Sequence, residues 1–297
     1  MGKIKLGIIG ISEGNGHPYS WSAIFNGYNA DAMGSCPFPA IPNYLKEKDF
    51  PSDFLTEKAI VTHIYTQDYN LSKQIAEASK INNIVKKPED LIGKVDAILL
   101  ARDDAENHYE MAKIFIEAGL PIYIDKPLAI FKNEAEKIFN LQKHVNQVFT
   151  CSALRFAKEL QISKSERKSI GDILHVEASV PKKWDTYSVH ILEPIIAQLP
   201  LRGKLLDVKS IKKHGFTHCL IEWENTTAYI KSTGEIKSSI IFNYFGKTKV
   251  LKKTFSDSFA CFKNALNLFV DIINNQSKSV IDQAETLEII EIIERAK

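Results

Sequence analysis

Two short constellations in this chain carry side chains able to hold a negative oxygen or move a proton. The first is Asp125-Lys126-Pro127. An ammonium group fixed in a closed site stabilises charge that develops on a substrate oxygen. The second is the run Trp184-Asp185-Thr186-Tyr187-Ser188-Val189-His190-Ile191-Leu192-Glu193-Pro194. Tyr187, His190 and Glu193 are three apart, so on a helix they lie on adjacent turns of one face. A phenol, an imidazole and a carboxylate together can exchange a proton near neutral pH. The plainer alternatives are a hydrogen-bonded structural histidine at His190 and a core tyrosine at Tyr187.

The elements that must position these groups are legible around them. Ala97 to Ala101 is an unbroken apolar run, which suits a strand covered on both faces. Asp103 and Asp104 follow, and acidic side chains belong at a helix start. Met111, Ile114, Phe115 and Ala118 recur at helical spacing and predict the buried stripe. Gly119 and Pro121 end that helix. Ile122 to Ile124 is a second buried strand, ending at Asp125. Strand, helix, strand is a crossover, so the two strands are parallel. Ligands gather at the carboxyl ends of such strands, where Lys126 falls.

The chain opens on a strand, Lys3 to Ile9, that runs into Gly10 and then Ile11-Ser12-Glu13-Gly14-Asn15-Gly16-His17-Pro18. A helix is expected from Tyr19 to Gly27. Strand, glycine-rich turn and helix form the context of a dinucleotide-binding fingerprint, because backbone N–H groups at a helix start can approach a pyrophosphate. The match is partial: Ser12 stands at the second glycine position. His17 and Trp21 lie beside the turn, where they either cover a cofactor or close the helix start. Residues 28–58 read as a long irregular excursion rich in Pro and Gly. Ala59 to Tyr65 is the second strand, and a helix follows over Leu71 to Ala78. A ribose-binding carboxylate is expected near that strand's end. Asp68 either serves there or caps the helix, and Thr66 holds the place where the acid more often falls, which leaves NAD and NADP both open.

A helix is expected over Lys132 to His144 and a strand over Val148 to Leu154, closing at Arg155-Phe156. This much is the alternation of a doubly wound parallel sheet. From Lys168 the texture changes. Leu174, Val176, Ala178 and Val180 alternate with polar residues. Short strands follow at Leu205 to Ile211, Cys219 to Trp223, Ala228 to Lys231, Ile236 to Tyr244 and Lys249 to Thr254, without helices between them. They predict a large, open, mostly antiparallel sheet. Two helices close the chain. The expected fold is α/β: a Rossmann domain over residues 1–127 and an α+β substrate-binding and oligomerisation domain over residues 128–297.

With 297 residues, 44% hydrophobic and 25% charged, the composition is that of a two-domain globular protein. A net charge of +2 argues for neither nucleic acid nor an anionic membrane as partner. No apolar stretch approaches the ~20 residues of a membrane helix, and no signal peptide is evident. The four cysteines, Cys36, Cys151, Cys219 and Cys261, have no metal-ligand spacing. They read as reduced core residues of a cytoplasmic protein, with no metal site expected.

These residues resemble the glucose–fructose oxidoreductase/inositol dehydrogenase (Gfo/Idh/MocA) family. The marks are Asp125-Lys126-Pro127 at a Rossmann strand end, His190 with Glu193 three later, His108 after the strand at Ile98 to Ala101, Arg155-Phe156 and the terminal helices. The resemblance implies an NAD(P)-dependent oxidoreductase acting on a sugar, cyclitol or nucleotide-linked sugar, assembled as a homodimer or homotetramer. It implies that Lys126 contacts substrate hydroxyl and nicotinamide ribose, that His190 is the acid/base and that Tyr187 supports it. The expected cofactor contacts are Gly7, Gly10, Ile11, Ser12, Thr66, Asp68, Ala101, Arg102, Asp103, His108, Asp125 and Lys126. The expected substrate contacts are Lys126, Arg155, Trp184, Tyr187 and His190. Thr186 stands where many members carry Asp. With Ser12 and Thr66 it leaves as an alternative a sensor or regulator that binds cofactor or sugar without turnover; a second is a structural or interaction protein that binds no dinucleotide.

Overall fold

The computed structural model describes residues 2–275 and 281–297. The chain divides into two compact units. One is formed by residues 2–129, 136–150 and 262–275, the other by residues 130–135, 151–261 and 281–297.

In chain order the elements to the end of the first sheet are β1 Ile4–Ile9, α1 His17–Asn26, α2 Ala30–Gly34, α3 Ala40–Lys46, β2 Ala59–Tyr65, α4 Tyr69–Ala78, β3 Asn83–Ile84, β4 Ala97–Leu100, α5 His108–Glu117, β5 Ile122–Ile124, α6 Lys132–Asn140 and β6 Val148–Phe149. The six strands form one sheet in the order β3-β2-β1-β4-β5-β6, every pair parallel. The strand order reverses between β1 and β4, and a ligand crevice opens at such a switch point. β4 and β5 are buried along their whole length. Strands covered on both faces need no polar alternation.

The first sheet departs from the sequence expectation in several places. Residues 28–58 are not irregular throughout. They hold α2, capped by the Asn29 side chain, and α3, and they bury Met33, Ile41, Leu45 and Phe54. Pro42 sits in the first turn of α3, where a missing N–H costs nothing. The buried stripe of α5 is His108, Ala112, Phe115 and Ile116, whereas Met111 and Ile114 are half-buried and Ala118 is exposed. A 3-10 turn at Ala105–Asn107 leads into this helix and shifts its phase. The last strand is two residues long, because Ser152 accepts from Leu154 N and starts a 3-10 turn over Ala153–Phe156. α6 ends at Asn140, short of His144.

Gly10 ends β1 against α1. A Cβ there would lie 2.3 Å from Pro18 Cγ, so only glycine lets strand and helix close. Gly10→Ala is expected to destabilise the protein by about 1–3 kcal/mol through overpacking, read from the midpoint of urea unfolding.

The remaining elements are α7 Lys164–Ile170, β7 Ile173–Val180, α8 Trp184–Tyr187, α9 Val189–Gln198, β8 Leu205–Lys213, β9 Phe216–Trp223, β10 Thr227–Ser232, β11 Ile241–Gly246, β12 Val250–Thr254, α10 Ser258–Ile273 and α11 Gln283–Arg295. β7 to β12 form a second sheet in the order β12-β11-β7-β10-β9-β8. All its pairs are antiparallel except β7–β10, which is parallel. The chain passes through two helices and a hairpin between those two strands, and a parallel pair needs such a crossover. Val176, Ala178, Cys219, Ile221, Ala228, Ile230, Phe242 and Tyr244 are buried on its inner face. Leu174 is exposed and Ile173 buried, because the β7–β11 register shifts at Phe245/Gly246. β11 begins at Ile241 rather than Ile236. Among the described residues no helix is long and apolar enough to cross a membrane.

Candidate functional site

β1 delivers the chain to the glycine turn. Gly10 N donates to Tyr65 O at 3.0 Å, and Asn15 N closes a turn on Ser12 O at 3.2 Å. The Asn15 side chain then accepts from His17 N at 2.8 Å and starts α1, with Pro18 in the first turn. Among the described residues the N–H groups of Ser12, Glu13, Gly14 and Gly16 donate to no protein acceptor. Gly14 has φ +76° and open space around it. Unpaired N–H groups ahead of a helix suit an anion, so the turn fits the pyrophosphate of a dinucleotide. Ile11 is different: the Gln67 side chain takes both its backbone groups, accepting from N at 3.2 Å and donating to O at 2.7 Å.

Beside the turn lies a charged cluster built from the ends of β4 and β5. Ser12 Oγ donates to Asp103 Oδ1 at 2.5 Å. Lys126 Nζ is 3.4 Å from Asp103 Oδ2 and 3.8 Å from Asp125 Oδ2. Asp125 Oδ2 also receives Asn15 Nδ2 at 2.8 Å and His17 Nδ1 at 2.7 Å, while Oδ1 accepts Lys126 N at 2.8 Å. Asp125 and Lys126 are both buried. Burial pushes the Asp125 carboxyl up. The charges of His17 and Lys126 and the hydrogen bonds more than offset it, and its pKa lies well below the usual carboxylate range. The cluster joins three neighbouring strand ends through side-chain contacts, with a lysine at its centre.

Several expected contacts take other places. Asp103 does not start a helix: the 3-10 turn begins two residues later, and Asp103 binds Ser12 instead. Gly7 lies inside β1, where a Cβ would press on Leu91 and Ile98 at 3.2–3.3 Å, so its smallness serves packing. His108 is fully buried, and its ring nitrogens face the carbonyls of Leu128 at 3.0 Å and Arg102 at 2.8 Å, which pins two loops rather than a ligand. Ala101 N is bonded to Ile9 O. Thr66 is buried, with its hydroxyl on Asp68 O and Ser72. Arg102 grips both oxygens of Asp104 at 2.8 and 2.5 Å and reaches Gln67 at 3.0 Å.

Asp68 caps α4, accepting from Asn70 N at 2.7 Å and Leu71 N at 3.3 Å. Asp68→Ala is expected to cost about 0.5–2 kcal/mol, and Asp68→Asn much less, since asparagine also caps. Thermal melting measures the cap. Calorimetric titration of the two variants with NAD measures any second duty toward ribose, which Asn would lose.

In the second unit, Tyr187, His190 and Glu193 do not act as one set. The rings of Tyr187 and His190 meet edge to face at 4.9 Å. Tyr187 Oη receives Lys182 Nζ at 2.6 Å. His190 Nδ1 is 2.7 Å from Ser152 Oγ. Glu193 turns away to Arg155, 3.0 Å from NH1, and Arg155 NH2 reaches Glu285 at 2.5 Å. Glu193 is buried, and burial lifts its carboxyl above the usual range against the opposing pull of Arg155. A buried carboxylate needs a cation, and that need separates it from His190. Arg155, expected at the substrate, already has its charge matched by two carboxylates. Trp184 is buried and donates from Nε1 to Ile293 O at 3.2 Å, so it is a core residue rather than a substrate contact. Sequence reasoning missed Asn15, Gln67 and Ser152. The Gly-Asn-Gly run marked Asn15 as a turn residue, but nothing local distinguished the other two.

A parallel sheet of this strand order with a glycine turn at its switch point defines a Rossmann dinucleotide-binding architecture. Residues 45–152 match the Gfo/Idh/MocA family, described as an oxidoreductase family with an NAD-binding Rossmann fold, which bears out the resemblance carried by Asp125-Lys126-Pro127. No curated protein matches the chain. Solved structures share the fold. The apo scyllo-inositol dehydrogenase of Lactobacillus casei is 12% identical with TM-score 0.74, covering 99% of this chain and 95% of that one. The UDP-N-acetylglucosamine 3-dehydrogenase of Acidithiobacillus ferrooxidans is 12% identical with TM-score 0.71, covering 100% and 97%. The biliverdin reductase of Synechocystis, solved with biliverdin and NADP+, is 13% identical with TM-score 0.70, covering 98% and 97%.

Proposed function

We propose that this protein is an NAD(P)-dependent oxidoreductase that moves a hydride between nicotinamide and a carbinol carbon of a sugar, cyclitol or nucleotide-linked sugar. The observation that carries the reading is the buried Lys126, held between Asp103 and Asp125 at the ends of β4 and β5 beside the open glycine turn. The N–H groups of Ser12, Glu13, Gly14 and Gly16 bind the dinucleotide phosphates, and the dinucleotide supplies the redox chemistry. Lys126 holds the carbinol oxygen and stabilises the negative charge it gains as the hydride leaves. The hydroxyl proton passes to an imidazole. His190, with Tyr187 against it, is the one the family resemblance implies, and Ser152 holds its ring.

The outer face of the second sheet exposes Ile211, Leu220 and Tyr229, which supports association with a second copy of this chain. Sedimentation velocity reads that directly. The four cysteines are buried and in no disulfide among the described residues, in keeping with a reducing, cytoplasmic setting.

The test is a panel of cyclitols, sugars and nucleotide-linked sugars with NAD+ and NADP+, followed by the absorbance of the reduced nicotinamide. Turnover on at least one member that is lost in Lys126→Ala supports the reading. Tight dinucleotide binding without turnover on any member would favour a sensor, and no dinucleotide binding at all would end both.

A further inference from the structure

We propose that the second unit carries a binding site for a small organic acid with an apolar body, in a cleft between the end of α7, the loop after α9 and the starts of β7 and β10. The proposal goes beyond the oxidoreductase reading and does not depend on it. None of the lining residues belongs to the glycine turn or to the cluster around Lys126.

The cleft has a volume of about 880 Å³, inside the ~300–1,000 Å³ of small-molecule sites. Its lining comes from residues 167–247, all in one unit. Ile173 and Leu199 line it and are buried, whereas Leu174 and Leu201 line it at 50% and 81% exposure. One leucine bare to water needs no explanation. Two on the walls of one cleft mark a surface suited to an apolar ligand.

Charge sets the polarity of that ligand. Two cations of the lining are already neutralised. Lys247 pairs with Asp172 at 2.6 Å, and Arg202 holds both oxygens of Glu288 at 2.9 and 3.0 Å. Arg167 and Lys168, also in the lining, pair with no carboxylate among the described residues. Cations are common in the last turn of a helix, which accounts for their place in the sequence. It does not account for the setting of Arg167. Arg167 is half-buried, and among the described residues its side chain makes one hydrogen bond, from NH2 to the neutral Gln198 Oε1 at 3.1 Å. That bond takes one of five N–H donors and leaves the rest of the fork to a planar anion. Thr226 is a second, independent sign. It lines the cleft at 6% exposure, and its hydroxyl has no partner among the described residues. A buried hydroxyl left unpaired is costly and uncommon, and a carboxylate oxygen is the acceptor such a donor needs. The matching ligand sets its carboxylate on Arg167 and its chain along Leu174, Leu199 and Leu201.

Octanoate is the probe, titrated by calorimetry into the full chain beside octanol, which lacks the charge, and acetate, which lacks the chain. Octanoate is expected to saturate with a Kd of about 0.1–1 mM, and the other two to bind about tenfold more weakly or worse. Arg167→Gln should weaken octanoate about 10–100-fold. Leu201→Asp puts a like charge on an exposed wall without touching the core, and should weaken it about tenfold. Both variants should melt within about 2 °C of the parent. A parent that does not saturate overturns the proposal, as does octanol binding as tightly as octanoate or unchanged affinity in either variant. A parent blind to octanoate, with a Leu201→Asp variant that sediments as a smaller species, overturns it in favour of a contact between copies of this chain. Neither turnover nor dinucleotide binding enters the readout, so this proposal and the oxidoreductase reading fail separately.

Discussion

Lys126→Ala is expected to lower kcat by about 10²–10³-fold, the usual cost of removing one group that stabilises a developing oxyanion. Dinucleotide affinity should change far less, since the proposed reading assigns the phosphates to backbone N–H groups of the glycine turn. Steady-state kinetics with the responding substrate, paired with calorimetric titration of NAD+, separates the two. Lys126→Arg keeps the charge but not the shape of the amine, so it should recover only part of kcat. The variant also carries an acid signature. Asp125 ionises below the ordinary carboxylate range when folded, so it adds stability above its unfolded pKa of ~3.9 that is lost as pH falls toward the folded value. Lys126 is one cause of that depression. Its removal raises the folded value toward the unfolded one, so the stability lost on acidification should be smaller, visible as a shallower fall of melting temperature across pH 2 to 6.

Arg155→Met should be the most destabilising of these substitutions, at about 3–5 kcal/mol, because it leaves the buried Glu193 carboxylate without its cation. Glu285 loses a partner as well. Replacing both members, Arg155→Met with Glu193→Leu, should return much of that loss, since a buried ion pair and an apolar pair of similar volume are often near equal. The pH dependence has the opposite sign to that of Asp125. Burial raises the Glu193 pKa, so its protonated form is the one the folded state favours. The Arg155→Met defect should therefore shrink as pH falls through that raised value. Urea unfolding at pH 5 and pH 8 checks it; equal losses at both would mean the carboxylate has found water or another cation.

The parts legible in the sequence were those with strong local signals. Ala97 to Ala101 and Ile122 to Ile124 are too apolar to be anything but covered strands, and they place Lys126 at a strand end. The turn of Glu193 toward Arg155 was not legible, because helical spacing says which side chains can meet and not which charge a distant arginine will claim. The phase of α5 was misread for a related reason. Its entry through a 3-10 turn and the burial of His108 depend on two loop carbonyls far off in the chain. The glycine turn was recognisable by context, and Gln67, which occupies Ile11 from another strand end, was not. The family match begins at residue 45, beyond that turn. Ser12 lies before the match and Thr66 inside it; Ser12 is tied to Asp103, far off in the chain, and Thr66 to Ser72 in the next helix.

Trp21 lies between two rings, stacked on His17 at 4.9 Å and on Tyr123 at 4.7 Å. The other two tryptophans, Trp184 and Trp223, belong to the second unit. A chain carrying Trp184→Phe and Trp223→Phe would then hold a single emitter, and its brightness would report how closely the glycine turn is packed against the sheet.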